Sequence, residues 1–346
     1  MRSRILLAVG LLVLGASVVE CGEPSKPEMM FSDTSRLGRP CAKDPAVVRF
    51  GGRYWMYFSL PPHADRAKGS GWSAGIARSE DLIHWKKVGE IVGEPGGPEA
   101  KGLAAPEAIV LDNRVHLFYQ TYGNGPKDAI CHAVSDDGIH FQRNSTNPVF
   151  RPTGDWTVGR AIDAEVFPFN GKLLLYIATR DPAMKIQMLG VAAADLESDF
   201  GRDAWSQLVD APILKPELAW EQECIEAATL CEHDGRLYMF YAGAYNNKPQ
   251  QIGVAVSRDG IQWTRMSDKP LLPCGSPGEW NSSESGHPGV FIDTNGRGYL
   301  FFQRNNDRGK TWFLSKMNLH FDGPLPYLVR PRDGREFRLV DPRLSE

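Results

Sequence analysis

Five segments of this chain share one plan, and their turns recur about every sixty residues. They read "KDPAVVRFGGRYWMYFS", "APEAIVLDNRVHLFYQ", "IDAEVFPFNGKLLLYIA", "IEAATLCEHDGRLYMFYA" and "GHPGVFIDTNGRGYLFFQ". Each has a polar residue, a short apolar strand, a turn and then an aromatic-rich strand. The turns fall at Gly52, Asn113, Gly171, Gly235 and Gly296. Gly-Gly, Asp-Asn, Asn-Gly and Asp-Gly between apolar runs suit the left-handed backbone of tight hairpins. A second element follows in several units: "GIARSEDLIHW", "HAVSDDGIHF" and "GVAVSRDGIQW" alternate apolar and polar residues, turn through Ser-x-Asp and end on an aromatic. It has decayed to "GVAAADLESDF" in the third unit, and the fifth retains only "DRGKTWFLS". Hairpin, third strand and outer strand make four strands per unit. The pattern predicts an all-β fold, a five-bladed β-propeller with four-stranded antiparallel blades around a central axis. Solenoid repeats are much shorter, and no amphipathic helix of useful length supports an α/β alternation. Residues from about 24 to 40 and from about 320 onward lie outside the repeats and are expected to close the ring between last blade and first.

Composition agrees with many short strands, since the 346 residues include 35 Gly and 25 Pro. A formal net charge of −3 lacks the basic footprint of a nucleic-acid or anionic-membrane binder. Only the first twenty residues or so hold an apolar run of spanning length. Arg2 and Arg4 precede an apolar stretch from Ile5 to Val19, and polarity returns at Glu20, Cys21 and Gly22. This predicts a signal peptide over 1–22, one domain over 23–346, and export to the periplasm or the outside. Cys21 sits where a lipid-anchored cysteine would, although Val18-Val19-Glu20 departs from the small residues such a site prefers. The other five cysteines are Cys41, Cys131, Cys224, Cys231 and Cys274. Their odd number implies at least one free thiol, and no spacing resembles a zinc site. A Cys224–Cys231 bridge is left open.

In a propeller the innermost strands converge, so a residue repeated at their entry lines one end of the axis. Reading that position across the units yields Asp44, Glu107, Asp163, Glu226 and His287. Aspartate before a strand often only caps a turn, but turn chemistry alone would favour Asn, Ser or Gly and would not select ionisable groups five times. Clustered carboxylates push one another's pKa values apart, which supplies the protonated acid and ionised base of glycoside hydrolysis by inversion.

These residues carry a resemblance. From about residue 38 to about 318 the chain resembles glycoside hydrolase family 43 and its five-bladed relatives, among them fructosidases and anhydrogalactosidases. The matching motifs are Asp44 in "KDPAVV", Asp163 in "AIDAEVF" and Glu226 in "CIEAATL". The resemblance implies Asp44 as the general base activating water, Glu226 as the general acid, and Asp163 as the group tuning and positioning that acid. It also implies a polysaccharide or oligosaccharide substrate, with arabinofuranosides, xylosides and galactofuranosides the leading types. Here Ile-Asp-Ala and Glu-Ala-Ala replace the commoner Ile-Asp-Pro and Glu-Gly-Pro, and Glu107 stands in "APEAIV" where Ala-Pro-Asp is commoner. His287 in "GHPGVF" matches a central histidine that in many relatives contacts water or calcium. In the anhydrogalactosidase branch a histidine serves as acid, so His287 competes with Glu226. No cofactor is required, and one histidine is a weak reason to place a structural calcium at the axis, because that ion prefers oxygen ligands.

Around this set, Arg160, Arg304 and Trp72 are expected to touch the substrate, together with Glu107 and His287. Glu165 is a neighbour rather than a catalyst, and Glu221 and Glu223 belong to loop chemistry. A non-catalytic carbohydrate-binding propeller would keep the aromatics and lose an acid. A transferase or phosphorylase on the same fold would add basic residues near the acid, whereas the stretch around Glu226 is acidic. A sialidase would need three arginines and a tyrosine nucleophile, which the sequence does not assemble.

Overall fold

Residues 27–340, apart from 66, 68 and 70, are described by a computed structural model, and their strands fall into five antiparallel sheets. The first blade contains β1 (Lys43–Phe50), β2 (Arg53–Leu60), β3 (Ser73–Ser79) and β4 (Lys86–Ile91). The second has β5 (Leu103–Leu111), β6 (Arg114–Thr121), β7 (Ile130–Ser135) and β8 (Gln142–Arg143). The third has β9 (Ile162–Phe169), β10 (Lys172–Arg180), β11 (Gln187–Asp195) and β12 (Ser206–Gln207). The fourth has β13 (Ile225–His233), β14 (Arg236–Gly243), β15 (Gln251–Ser257) and β16 (Thr264–Arg265). The fifth runs β17 (Glu284–Ile292), β18 (Gly298–Asn305), β19 (Phe313–Asp322), β20 (Leu325–Val329) and β21 (Glu336–Phe337). Neighbouring innermost strands touch all the way round, β17 meeting β1, so the ring is the expected five-bladed propeller. Among the described residues there is no α-helix.

The second strand of each blade is buried on both faces, which explains its unbroken apolar run. Successive side chains point into opposite clefts: Tyr57 joins the core between blades one and two, while Phe58 joins the core between blades five and one. Phe118 and Tyr119, and Tyr176 and Ile177, divide in the same way. The result is one hydrophobic core per interblade cleft. Tyrosine hydroxyls pin blade one to blade two and blade three to blade four, with Tyr57 donating to the Gly138 carbonyl at 3.0 Å and Tyr176 to that of Gly260 at 2.8 Å. Gly138 and Gly260 sit in the Ser-x-Asp turns. In those turns Asp137 and Asp259 each accept two backbone N–H bonds at 2.8 Å, so the motif is structural.

Only one flank closes the ring as expected. Phe31 and Leu314 exchange backbone hydrogen bonds at 2.9 and 2.8 Å, and Met29 and Phe31 fill the cleft between blades five and one. The other flank instead thickens blade five through β20 and β21 and abuts blade four. There Tyr238 donates to the Pro324 carbonyl at 3.0 Å, and Ser267 to that of Val340 at 2.7 Å. The segment read as an export signal, and Cys21, lie outside the described residues. Cys224 and Cys231 are both free thiols, so that bridge is absent. Among the described residues no helix is long and apolar enough to cross a membrane.

Candidate active site

Each innermost strand carries a bulge at its entry, where two residues oppose one on the neighbouring strand. The bulges lie between Lys43 and Ala46, Ala104 and Glu107, Ile162 and Glu165, Glu226 and Thr229, and Gly286 and Gly289. Their first residues all have left-handed backbone: Asp44 (φ 54°), Ala105 (44°), Asp163 (51°), Ala227 (52°) and His287 (45°). A non-glycine residue held there costs about 1–3 kcal/mol and persists only where its surroundings enforce it. Side chains from preceding blades do so: Ser59 Oγ, Gln120 Oε1 and Gln303 Oε1 accept the N–H groups of Ala105, Asp163 and Asp44 at 2.7, 2.6 and 3.3 Å.

This register corrects the single ring expected from the repeats. Asp44, Asp163 and His287 are equivalent, with alanine in the other two blades. Glu226 stands one residue before its bulge, the position that Lys43 holds in blade one. Glu107 stands beyond its bulge, equivalent to Glu165 and Thr229. Two layers result. One faces a cavity of about 170 Å³ lined by Asp44, Asp163, Glu226, His287, Arg160 and Trp72. The other, with Glu107, lies further along the axis and does not line it.

Four of the lining groups are ionisable acids or an imidazole, each in a different setting. Burial pushes the Asp44 carboxyl up, but the His287 ring, the Lys43 charge and a Ser59 hydrogen bond outweigh it and hold the group below its usual range. His287 Nδ1 lies 3.2 Å from Asp44 Oδ1. Burial lowers the His287 pKa despite the pull of Asp44 and Glu226. That contact places His287 against Asp44, the expected base. Asp163 is raised well above the carboxylate range, by burial and then by the charges of Glu226 and Asp44, against Arg160 and Lys43. Glu226 accepts from two amides, Gln187 Nε2 at one oxygen and Gln250 Nε2 at the other, the latter at 2.6 Å. Gln187 is itself oriented by Arg180, whose Nε donates to its Oε1 at 3.0 Å.

Glu107, half-buried, and Glu165, buried, form a carboxyl pair in the second layer. Glu165 Oε1 accepts from the Leu230 N–H at 2.7 Å and from Thr229 Oγ1 at 3.4 Å, and its side chain hydrogen-bonds Glu107. A shared proton satisfies both acids. Burial pushes Glu107 up to about 8, and burial with the Glu107 charge raises Glu165 well above its usual range. The folded state therefore holds a proton that the unfolded chain releases near pH 4.5. Stability is full below that pH and falls as pH rises toward 8. Glu107→Gln, which replaces the shared proton by an amide N–H, should flatten that decline. At pH 8 it is expected to recover roughly 1–3 kcal/mol in urea melts compared with pH 5; unchanged pH dependence would refute the shared proton.

Arg304 is also displaced from its expected role. Its Nη1 donates to the Trp280 carbonyl at 2.6 Å, its Nη2 meets Met30 Sδ, and it stacks on Trp280 and Phe313. It anchors blade five to the N-terminal segment and does not line the cavity. The sequence reading missed Lys43, Gln120, Tyr122, Arg180, Gln187, Tyr245 and Asn246, all of which line it. Lys43 carried one signal, its place immediately before Asp44. Glu221 and Glu223 belong to the loop before β13, as expected. Among the described residues no group of three or more His, Cys, Asp or Glu is arranged to hold a metal ion, and His287 directs Nδ1 to Asp44.

Known proteins with this architecture agree. Residues 38–324 match the family described as glycosyl hydrolases family 43. A thermostable family-43 glycoside hydrolase superposes with a TM-score of 0.66 at 20% identity, over 91% of this chain and 100% of that one. An α-L-arabinofuranosidase from Lactobacillus brevis gives 0.64 at 15% identity, over 90% and 94%. At these identities the structural likeness speaks for the fold alone. A 1,2-β-oligomannan phosphorylase from Thermoanaerobacter sp. (strain X514) is 26% identical over 222 residues, 62% of this chain and 67% of that protein.

Proposed function

This chain belongs to glycosyl hydrolase family 43, a family of glycoside hydrolases, and on that premise we propose that it cleaves a pentose or furanose glycoside by inversion at the anomeric carbon. The observation that carries this reading is the convergence of Asp44, Asp163 and Glu226, from three blades, on one cavity. Asp44, kept ionised, takes a proton from a water whose oxygen bonds to the anomeric carbon. The bond to the leaving oxygen breaks as Glu226 delivers a proton to that oxygen. That proton belongs to the coupled pair of Asp163 and Glu226, whose mutual repulsion keeps one of the two carboxyls protonated until it is delivered. His287 orients Asp44, and Trp72 offers a ring face to the sugar.

The sugar type rests on the family resemblance carried by Asp44, Asp163 and Glu226, and the apolar stretch over 1–22 suggests export. Proton NMR of the first product formed from an aryl α-arabinofuranoside, β-xyloside or β-galactofuranoside tests the mechanism. The anomer opposite to that of the substrate is expected to appear before mutarotation; the same anomer would overturn inversion.

One finding favours a second reading, phosphorolysis. Lys43, Arg160 and Arg180 reach the cavity from blades one and three, so the basic residues a phosphorylase needs are present although the sequence around Glu226 is acidic. The 26% identical phosphorylase points the same way. Against it, the Asp44 carboxylate would repel phosphate. Product formed only with added phosphate, as a sugar 1-phosphate, would replace hydrolysis by this reading.

A further inference from the structure

Taking the cavity as the site of glycoside cleavage, we propose that Lys43, Arg160 and Arg180 form a subsite for an oxyanion carried by the substrate. The group is a carboxylate, or an ester phosphate or sulfate, on one of the two sugars flanking the cleaved bond.

The acids near these cations balance part of their charge but leave most of their hydrogen-bond donors unspent. Among the described residues no carboxylate oxygen lies within 4.0 Å of Lys43 Nζ or of the Arg180 guanidinium. Asp44 already has His287 and Ser59, and Glu226 already has Gln187 and Gln250. Lys43 lies over the Trp312 ring at 4.6 Å and toward Trp72 at 6.0 Å. Aromatic faces attract an ammonium but leave its three N–H donors unspent. Burial would discharge Lys43, yet Asp44, Glu284 and Glu226 more than offset it and keep the group charged.

The two arginines are under-used in the same direction. Arg180 donates Nε to Gln187 and Nη1 to the Met184 carbonyl at 3.3 Å, and stacks on Tyr245 at 5.1 Å. Its Nη2 has no partner among the described residues. Arg160 reaches Asp128 Oδ2 only at 3.5 Å, and its buried Nε has no partner. A neutral sugar would drive water from three cations and leave their donors poorly matched, which is costly. An oxyanion would accept from them with charge-assisted bonds.

Titration calorimetry on the wild-type protein tests this with D-glucuronate, D-galacturonate, glucose 6-phosphate and galactose 6-sulfate, each against its neutral sugar. At least one anionic sugar should bind about tenfold more tightly than its neutral counterpart, with the advantage shrinking at high salt. Preference for the uronates would identify a carboxylate, and preference for the esters a phosphate or sulfate. Lys43→Met and Arg180→Gln, if they keep the wild-type melting temperature, should each lose most of the advantage. Equal affinities for anionic and neutral sugars in the wild type overturn the proposal whether or not the variants fold. So does tight binding of inorganic phosphate coupled to release of a sugar 1-phosphate, which would make the anion the attacking group. Hydrolysis of neutral glycosides without any anionic preference would sink the subsite and leave the hydrolase reading standing. Anionic sugar binding with no hydrolysis of any glycoside would do the reverse.

Discussion

Asp44→Asn and Glu226→Gln each lower the turnover of an aryl glycoside by about 10²–10⁴-fold, the range expected when a positioned general base or acid is removed. The two losses should differ in kind. Glu226→Gln removes the proton delivered to the leaving oxygen, so a substrate with an acidic leaving group, such as a dinitrophenyl glycoside, should recover much of the rate. Asp44→Asn removes activation of the attacking water and should show no such rescue. Stability should shift as well. A glutamine at 226 sets an NH₂ group against one of the two amide donors, Gln187 or Gln250, that now serve the carboxylate. One buried donor is then unmatched, at a cost of about 1–3 kcal/mol. Asn at 44 retains one acceptor oxygen for His287 Nδ1 and leaves Lys43 without its nearest counter-charge. Parallel kcat measurements on good and poor leaving groups, with a melting curve for each variant, read all of this. Full turnover in either variant would refute its assigned role.

Glu221→Ala is expected to destabilise the fold by about 3–5 kcal/mol, because the buried Arg265 would keep only the exposed Glu217 as counter-charge. Glu221 is fully buried, and its two oxygens accept from Arg265 Nε at 2.7 Å and Nη2 at 2.9 Å. Tyr241 Oη donates to the same carboxylate at 2.8 Å, and the N–H groups of Glu217 and Leu218 at 2.7 and 2.9 Å. The carboxylate thus ties the loop that leads into β13 to the β16 residue Arg265, and that loop sets the entry of Glu226 into the cavity. Denaturant unfolding should show a lower midpoint with an unchanged slope. The double variant Glu221→Leu/Arg265→Met should recover a large part of the loss, since an apolar pair leaves no unmatched charge. Equal instability of the single and double variants would show that the backbone bonds, rather than the ion pair, hold the loop.

Much of the site is legible in the sequence. Asp44, Asp163 and Glu226 stand at motif positions of repeated strands, and strands of a closed ring can only meet at its axis. His287 and Trp72 also reach the cavity as read. Arg304 did not, because the register of β18 turns it toward Trp280 and the N-terminal segment rather than the axis. Glu107 misses the cavity because Ala105, two residues earlier, is the equivalent of Asp44, and Glu107 itself falls level with Glu165. Lys43 and Arg180 were passed over because each follows from distance in space: one precedes the motif, and the other ends a strand of blade three.

The sequence by itself determined the number of blades, the hairpin in each, the apolar faces that join them and the identities of the three central acids. These follow from local rules, since turn residues and a period of two act within a few residues and the repeat copies them five times. The tertiary structure alone decided which of those acids share a layer, where their protons sit and which cations join them. A bulge shifts a strand by one residue and sends the next side chain to the other side. Its left-handed backbone at Asp44, Ala105, Asp163, Ala227 and His287 is enforced by contacts from neighbouring blades, including Ser59, Gln120 and Gln303. No pattern within a single strand encodes those contacts. The charge state of Asp163 likewise depends on burial and on Glu226, sixty-odd residues away in the chain and adjacent only once the ring has closed.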